Sequence, residues 1–213
     1  MSAVTVKRRD VLNRRIRWFV TATISYNVIE AVVAVVAGTA ASSVALIGFG
    51  LDSVVEVLSA AAVAWQFAGR DPGPREKTAM RVISFSFFAL AAYLVLTSGL
   101  KLFGVNEPVD SPAGLVLTAL SLVIMPLLSW GQRRAGREVG SRSAVADSKQ
   151  TLLCAYLSGT VFLGLLANML YGWTWADPVA ALVIAGVAVR EGLEAARGQT
   201  CSCAVPPSGR IAR

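Results

Sequence analysis

The sequence predicts an all-α membrane protein, a bundle of six transmembrane helices with both termini in the cytoplasm. Of its 213 residues, 55% are hydrophobic and 15% are charged, whereas a soluble domain has roughly 25% charged residues. The mean hydropathy of +0.60 agrees with this balance. Six apolar stretches are each long enough to cross the hydrocarbon core, which requires about 20 residues. In lipid, backbone amides must be satisfied within their own segment, so the spans are predicted to be helices.

The first stretch follows basic residues like those of a signal peptide, but its apolar part is too long for one and no convincing cleavage site follows it. The six predicted spans are Ile16–Ala37, Ser42–Phe67, Ala79–Phe103, Ala113–Trp130, Ala144–Tyr171 and Trp175–Ala196. They imply a basic cytoplasmic arm (1–15), a six-helix membrane domain (16–196) and a cytoplasmic tail (197–213). We expect this tail to be disordered, because it is too short to fold as a domain.

The orientation follows from the Lys and Arg residues, which are enriched in cytoplasmic loops. They fall in the amino-terminal arm, in the connections after the second and fourth spans, and at the carboxyl-terminal end. Lys101, at the outer end of the third span, is the one exception. The predicted location is therefore the cell membrane, plasma or inner, with a net charge of +7 that faces the cytoplasm and anionic lipid. This placement explains the basic character without nucleic acid.

Polar residues in the first span share one helical face. Thr23, Asn27 and Glu30 are spaced by four and three residues, which places them on one side of a helix. An ionisable side chain within a membrane helix is costly and is usually functional. Three roles remain open for Asn27 and Glu30: they extend a binding site, relay protons, or tie the first span to the second.

The second span carries two carboxylates, Asp52 and Glu56, and is otherwise uncharged. Their spacing places both on one face, one turn apart. Each disfavours insertion by roughly 2.5 to 3.5 kcal/mol on translocon scales, so the pair needs a compensating partner. A multivalent cation suits two carboxylates in a low-dielectric interior. The alternative is a structural ion pair with Lys149 or Arg81.

The fifth span carries a polar stripe that includes Cys154. At a rise of about 1.5 Å per residue, Cys154 is expected at the same depth in the membrane as Asp52 and Glu56. A thiolate among carboxylates favours zinc, cadmium or cobalt over magnesium or calcium. The predicted ligands are therefore Asp52, Glu56, Cys154 and Gln150. Cys154 also suits apolar packing, and Gln150 suits hydrogen bonding between helices. The stripe consists of Asp147, Gln150, Cys154 and Ser158.

Carboxylates at two helix ends have structural explanations. Asp147 lies at the cytoplasmic end of the fifth span, where the helix dipole favours a carboxylate beside the amino terminus. It is also a candidate for the polar lining of the binding site or for a proton relay. Asp177, beside Pro178, is typical of a cap at the start of the sixth span. In the tail, Cys201 and Cys203 are candidates for capturing a thiophilic metal, or they form a reducible thiol pair.

Four segments resemble the cation diffusion facilitator family: NVIEAVVAVVAG, SVALIGFGLDSVVEVLSA, ADSKQTLLCAYLSG and WADPVAALVIAGVAVREG. The resemblance implies a six-span exporter that exchanges divalent metals for protons, and it implies homodimerisation. Members usually place two acids on the second span, here Asp52 and Glu56, and a His and an Asp on the fifth. Gln150 and Cys154 stand at the latter positions. The chain resembles a short branch that lacks the cytoplasmic carboxyl-terminal domain and the transport-site histidine.

The expected function is a secondary transporter that exports a divalent transition metal such as zinc, cadmium or cobalt, by proton antiport and alternating access. The metal is the substrate, and no prosthetic group is expected. The chain has no His, no nucleophile motif and no phosphate loop, so an enzyme is not predicted. The alternative is a degenerate, non-transporting protein of the same fold that acts in assembly or metal sensing.

Overall fold

The computed structural model describes residues 6–67, 72–103, 108–139 and 142–197. Within these ranges, the described side chains exclude those of 6–17, 62–67, 72–77 and 142–150, and of residues 20, 79, 136 and 139. The described residues form six helices, α1 Val6–Ala40, α2 Val44–Phe67, α3 Pro72–Leu102, α4 Pro112–Val139, α5 Arg142–Tyr171 and α6 Ala176–Ala196. The all-α prediction is therefore confirmed.

Several helices extend beyond the apolar stretches that predicted them. α1 begins at Val6 rather than Ile16, and α4 ends at Val139 rather than Trp130. These extensions carry the basic residues of the predicted cytoplasmic side. Apolar composition indicates how much of a helix meets lipid, whereas the helix itself continues into polar sequence wherever its backbone bonds continue.

Five of the helices are long and apolar enough to cross a membrane, and α6 is outside this group. Within its 21 residues, α6 carries Asp177, Arg190, Glu191 and Glu194. It packs against α2, α3 and α5, each of which is a candidate span. The sixth helix is thus part of the bundle, and its crossing of the membrane stays a prediction.

Helix α2 has a central position, because it contacts α1, α3, α5 and α6. Glycines permit its close approach to α1. A Cβ atom added to Gly50 would lie 2.9 Å from the Cβ of Ala34, and one added to Gly38 would lie 2.8 Å from the backbone nitrogen of Ile47. Small residues at such crossings let helix backbones approach closely, and this approach brings the polar face of α1 against α2.

Asp177 caps a different helix from the one that its sequence position suggests. Trp175 occupies the N-cap of α6 without a capping side-chain hydrogen bond. Asp177 instead accepts hydrogen bonds at the start of α2, from the Ser43 hydroxyl and from the backbone N–H groups of Val44 at 2.8 Å and Ala45 at 3.4 Å. The first N–H groups of a helix have no partner inside it, so a carboxylate from a neighbouring helix satisfies them.

The connection between α1 and α2 is also held from α3. Ser42 has a φ of 52°, in the left-handed region that few residues other than glycine adopt. Lys101, near the end of α3, donates a hydrogen bond to the carbonyl oxygen of Ser42. Its charge also acts on Asp177. The lone basic residue of the predicted outer side thus stabilises the end of the bundle where α2 and α6 begin.

Candidate functional site

Glu30 is completely buried where four helices meet. From α1 it accepts hydrogen bonds from Ser53 of α2 at 2.8 Å, from Ser121 of α4, and from the Cys154 thiol of α5 at 3.8 Å. The Tyr26 and Ser121 hydroxyls lie 2.8 Å apart and extend this network. Buried carboxylates require such donors, because desolvation otherwise disfavours them strongly. Glu30 is therefore the centre of the polar network rather than an outlying residue.

Asn27 and Glu56 join α1 to α2 one turn away along α1. The Nδ2 atom of Asn27 donates a hydrogen bond to the Oε2 atom of Glu56 at 2.6 Å. The Oδ1 atom of the same amide is buried and has no hydrogen-bond partner. The hydroxyl of Thr23, one turn earlier in α1, is likewise buried without a partner.

Asp52 is 5% exposed and lies one turn before Glu56 on α2. The charges of Glu30 and Glu191 both act on it. Glu191 is a partly buried acid of α6 that was not among the predicted site residues. Its place inside the last apolar segment was the available signal, because an acid in a membrane helix indicates function by default.

Cys154 is a free, fully buried thiol. The charges of Glu56, Glu30 and Asp52 all act on it. The structure therefore gathers three carboxylates and one thiol from α1, α2 and α5 into one electrostatic environment. Carboxylate and thiolate ligands together suit borderline metals such as zinc.

These groups do not form a closed cage in this conformation. Among the side chains that the structure describes, no three from His, Cys, Asp or Glu are arranged to hold a metal ion. Two pairs are present instead, Asn27 with Glu56 and Glu30 with Cys154. The donors are thus distributed along the faces of three helices.

Several predicted site residues lie outside the described side chains. Gln150 and Asp147 belong to helix α5, but their side chains are not among those described. The same holds for Lys149, one of the two predicted ion-pair partners of the second-span acids, the other being Arg81. Cys201 and Cys203 lie outside the described residues altogether. The fifth-helix part of the predicted ligand set is therefore represented here by Cys154.

Comparison with known proteins assigns this bundle to a family. The model of the cation efflux transmembrane domain matches residues 20–199, a range that contains the polar face of α1 and all of α2 to α6. A search of curated proteins gives no match. Members of this family are membrane transporters of metal cations, a role consistent with acidic side chains buried among apolar helices. The chain belongs to the cation efflux family.

Proposed function

We propose that this protein is a secondary transporter that exports a divalent transition metal, namely zinc, cadmium, cobalt or a similar ion, from the cytoplasm in exchange for protons. The observation that carries the proposal is a buried group of acids and one thiol inside the bundle. Glu30 contacts the fully buried Cys154 thiol at 3.8 Å, Asp52 is buried, and Glu56 accepts a hydrogen bond from α1. Several buried acids without bulk water need positive charge, and a divalent cation supplies it. Alternating access would expose this environment to each side of the membrane in turn.

The proposed ligands are Asp52, Glu56, Cys154 and Gln150. One thiolate among oxygen ligands favours borderline metals over magnesium and calcium. The chain has no histidine, which is the usual proton-exchanging group near neutral pH. Proton exchange is therefore assigned to the carboxylates or the cysteine, with Glu30 and Asp147 as candidates for the relay. In the occupied state, Asp52, Glu56 and Cys154 would close around the ion.

Transport into inverted membrane vesicles tests the assignment of the two second-helix acids. Asp52→Asn and Glu56→Gln are expected to abolish the uptake of zinc or cadmium, because each removes a charged ligand while preserving side-chain volume. Glu138→Gln on α4 is the matched control: it is the same chemical change at an exposed ion pair with Arg134, and such pairs contribute about 0 to 1 kcal/mol. Its uptake should equal that of the wild type.

The same vesicles separate transport from the degenerate alternative. A non-transporting sensor that uses Cys201 and Cys203 would tolerate Asp52→Asn and lose its function when residues after Arg197 are removed. Unchanged metal uptake in both Asp52→Asn and Glu56→Gln would contradict the proposed site.

Proteoliposomes identify the ion and the coupling. Initial rates are measured for Zn, Cd, Co, Ni, Fe and Mn, with and without an imposed pH gradient. Faster flux for zinc, cadmium or cobalt, driven by an opposing proton gradient, is expected. Absence of flux for every ion would overturn the transporter proposal, and gradient-independent flux would overturn the antiport part of it.

A further inference from the structure

Asn27 offers an unused oxygen beside a predicted metal ligand. Its side chain is 4% exposed, and its Nδ2 atom lies 2.6 Å from Glu56 Oε2. The amide orientation follows from the carboxylate, which accepts hydrogen bonds when ionised, so the NH₂ group faces it and the carbonyl does not. Oδ1, on the same amide carbon as Nδ2, is buried and has no hydrogen-bond partner.

An unpaired carbonyl oxygen in a protein interior has a substantial energetic penalty. Leaving a buried acceptor unsatisfied costs about 1 to 3 kcal/mol, and native structures keep few such groups unless they have a role. A group that binds Oδ1 and also stabilises the adjacent Glu56 carboxylate would remove this penalty. Amide oxygens and carboxylates are ordinary joint ligands of divalent cations, so a cation satisfies both requirements.

We infer that the Oδ1 atom of Asn27 is a direct ligand of the cation that Glu56 binds. This inference rests on the proposed transport function and adds α1 to a site that the sequence placed on α2 and α5. The metal would then have an uncharged oxygen ligand from α1, carboxylates from α2 and a thiolate from α5. Asn27 would act on the ion itself, in addition to its hydrogen bond with Glu56.

Thr23 provides an internal comparison. Its hydroxyl is also buried without a partner, and it lies four residues before Asn27 on the same face of α1. Because the Thr23 hydroxyl has no partner, it makes no hydrogen bond to Glu56, whereas the Asn27 amide donates one. Burial and helix position are therefore nearly matched in the two residues, and contact with the proposed site distinguishes them.

Cysteine substitution with cadmium as the probe tests direct coordination. The chain contains three cysteines, so replacing Cys201 and Cys203 by serine leaves Cys154 as the sole thiol. In this full-length background, Asn27→Cys and Thr23→Cys are purified, and the cadmium–thiolate charge-transfer absorption is titrated. Asn27→Cys is expected to add the absorption of a second thiolate and to bind cadmium about tenfold more tightly, since a thiolate is the softer ligand. Thr23→Cys should match the background protein.

A second pair of variants separates coordination from positioning and does not depend on the cysteine. Asn27→Asp retains an oxygen at the same place and loses the donor to Glu56. Asn27→Leu loses both. If Asn27 coordinates the ion, Asn27→Leu raises the half-saturating metal concentration, and Asn27→Asp stays much closer to the wild type. If Asn27 only positions Glu56, Asn27→Asp is at least as impaired as Asn27→Leu.

The outcomes distinguish this inference from the proposed function. Cadmium binding without added thiolate absorption in Asn27→Cys, an equal gain in Thr23→Cys, or wild-type flux in Asn27→Leu would each overturn the ligand assignment while transport stands. A bound water at Oδ1 would produce the first of these results. Failure of the background protein to bind or carry any cation would overturn both.

Discussion

Glu30 accepts hydrogen bonds on both carboxyl oxygens, and this explains how an acidic side chain occupies the bundle interior. Its hydroxyl partners also have acceptors within their own helices, because Ser53 lies 3.3 Å from the Phe49 carbonyl oxygen and Ser121 lies 3.0 Å from that of Leu117. The hydroxyls would therefore remain satisfied without Glu30. Stability alone thus gives little reason for a carboxylate here, which supports a role in transport.

Glu30→Met is expected to abolish metal flux and to leave thermal stability in detergent equal to that of the wild type or higher. A buried carboxyl group loses its hydration, which is costly, so an apolar residue of similar volume should be tolerated or stabilising at this position. The measurements are the unfolding midpoint and vesicle uptake. Glu30→Gln, which keeps the shape and removes the charge, should also be inactive. A large loss of stability in Glu30→Met together with normal flux in Glu30→Gln would assign Glu30 a structural role.

Cys154→Ser is expected to change ion preference more than total activity. The thiol is fully buried beside the acids, and replacing sulfur by oxygen makes the proposed ligand set harder. The ratio of cadmium flux to manganese flux should therefore fall. Ser158→Ala is the matched control, because its hydroxyl bonds to the Cys154 carbonyl oxygen one turn away. An unchanged ratio in Cys154→Ser would mean that the cysteine packs without binding the metal.

Helix α2 carries both predicted acids and is held at its start by another helix. Asp177 of α6 caps it through the backbone N–H groups of Val44 and Ala45, and glycines set its approach to α1. A carboxylate at a helix amino terminus is also favoured by the helix dipole. The position of Asp52 and Glu56 therefore depends on α6, although neither residue belongs to it.

Asp177→Ala is expected to destabilise the protein by about 0.5 to 2 kcal/mol, the usual range for removing a helix cap. The loss also leaves the Ser43 hydroxyl without its carboxylate acceptor. The measurement is the free energy of unfolding in detergent. Glu194→Gln serves as the control, because it alters a more exposed carboxylate of the same helix, paired with Arg190 at 3.0 Å, and should change stability by less than about 1 kcal/mol. Equal effects of the two variants would contradict the capping role.

Charge is distributed unevenly over the whole molecule, and this distribution defines its predicted orientation. The basic residues cluster in the connections predicted to be cytoplasmic, where they attract anionic lipid. Lys101 lies apart from them and donates to the Ser42 carbonyl oxygen. Its separate location is therefore compatible with the rule that favours positive loops in the cytoplasm.

Reporter fusions at the two termini are expected to show both in the cytoplasm. A reporter that is active in the cytoplasm should give signal at either end, and one that needs export should give none. An epitope inserted within residues 104–107, on the predicted outer side, is the matched control and should be accessible in intact cells. Termini on opposite sides would mean an odd number of crossings, and α6 would be the first helix to reconsider because of its charges.

The class of the protein and its buried acids could be predicted because lipid imposes local rules. Apolar stretches of about 20 residues become helices, and acids inside them are rare enough to indicate function. These rules selected Glu30, Asp52 and Glu56 from their immediate neighbours in the chain. They gave less information about helix ends, since α1 and α4 continue into basic sequence.

The amino-acid sequence alone specified an all-α membrane bundle and the faces on which its acids lie. Tertiary structure decided which groups meet: Glu30 with Ser121 and Cys154, Asn27 with Glu56, and Asp177 with the start of α2. The physical reason is that helical periodicity fixes the direction of a side chain relative to its own axis. Its partner depends on which helix packs alongside, and that is set by close contacts between residues far apart in the chain.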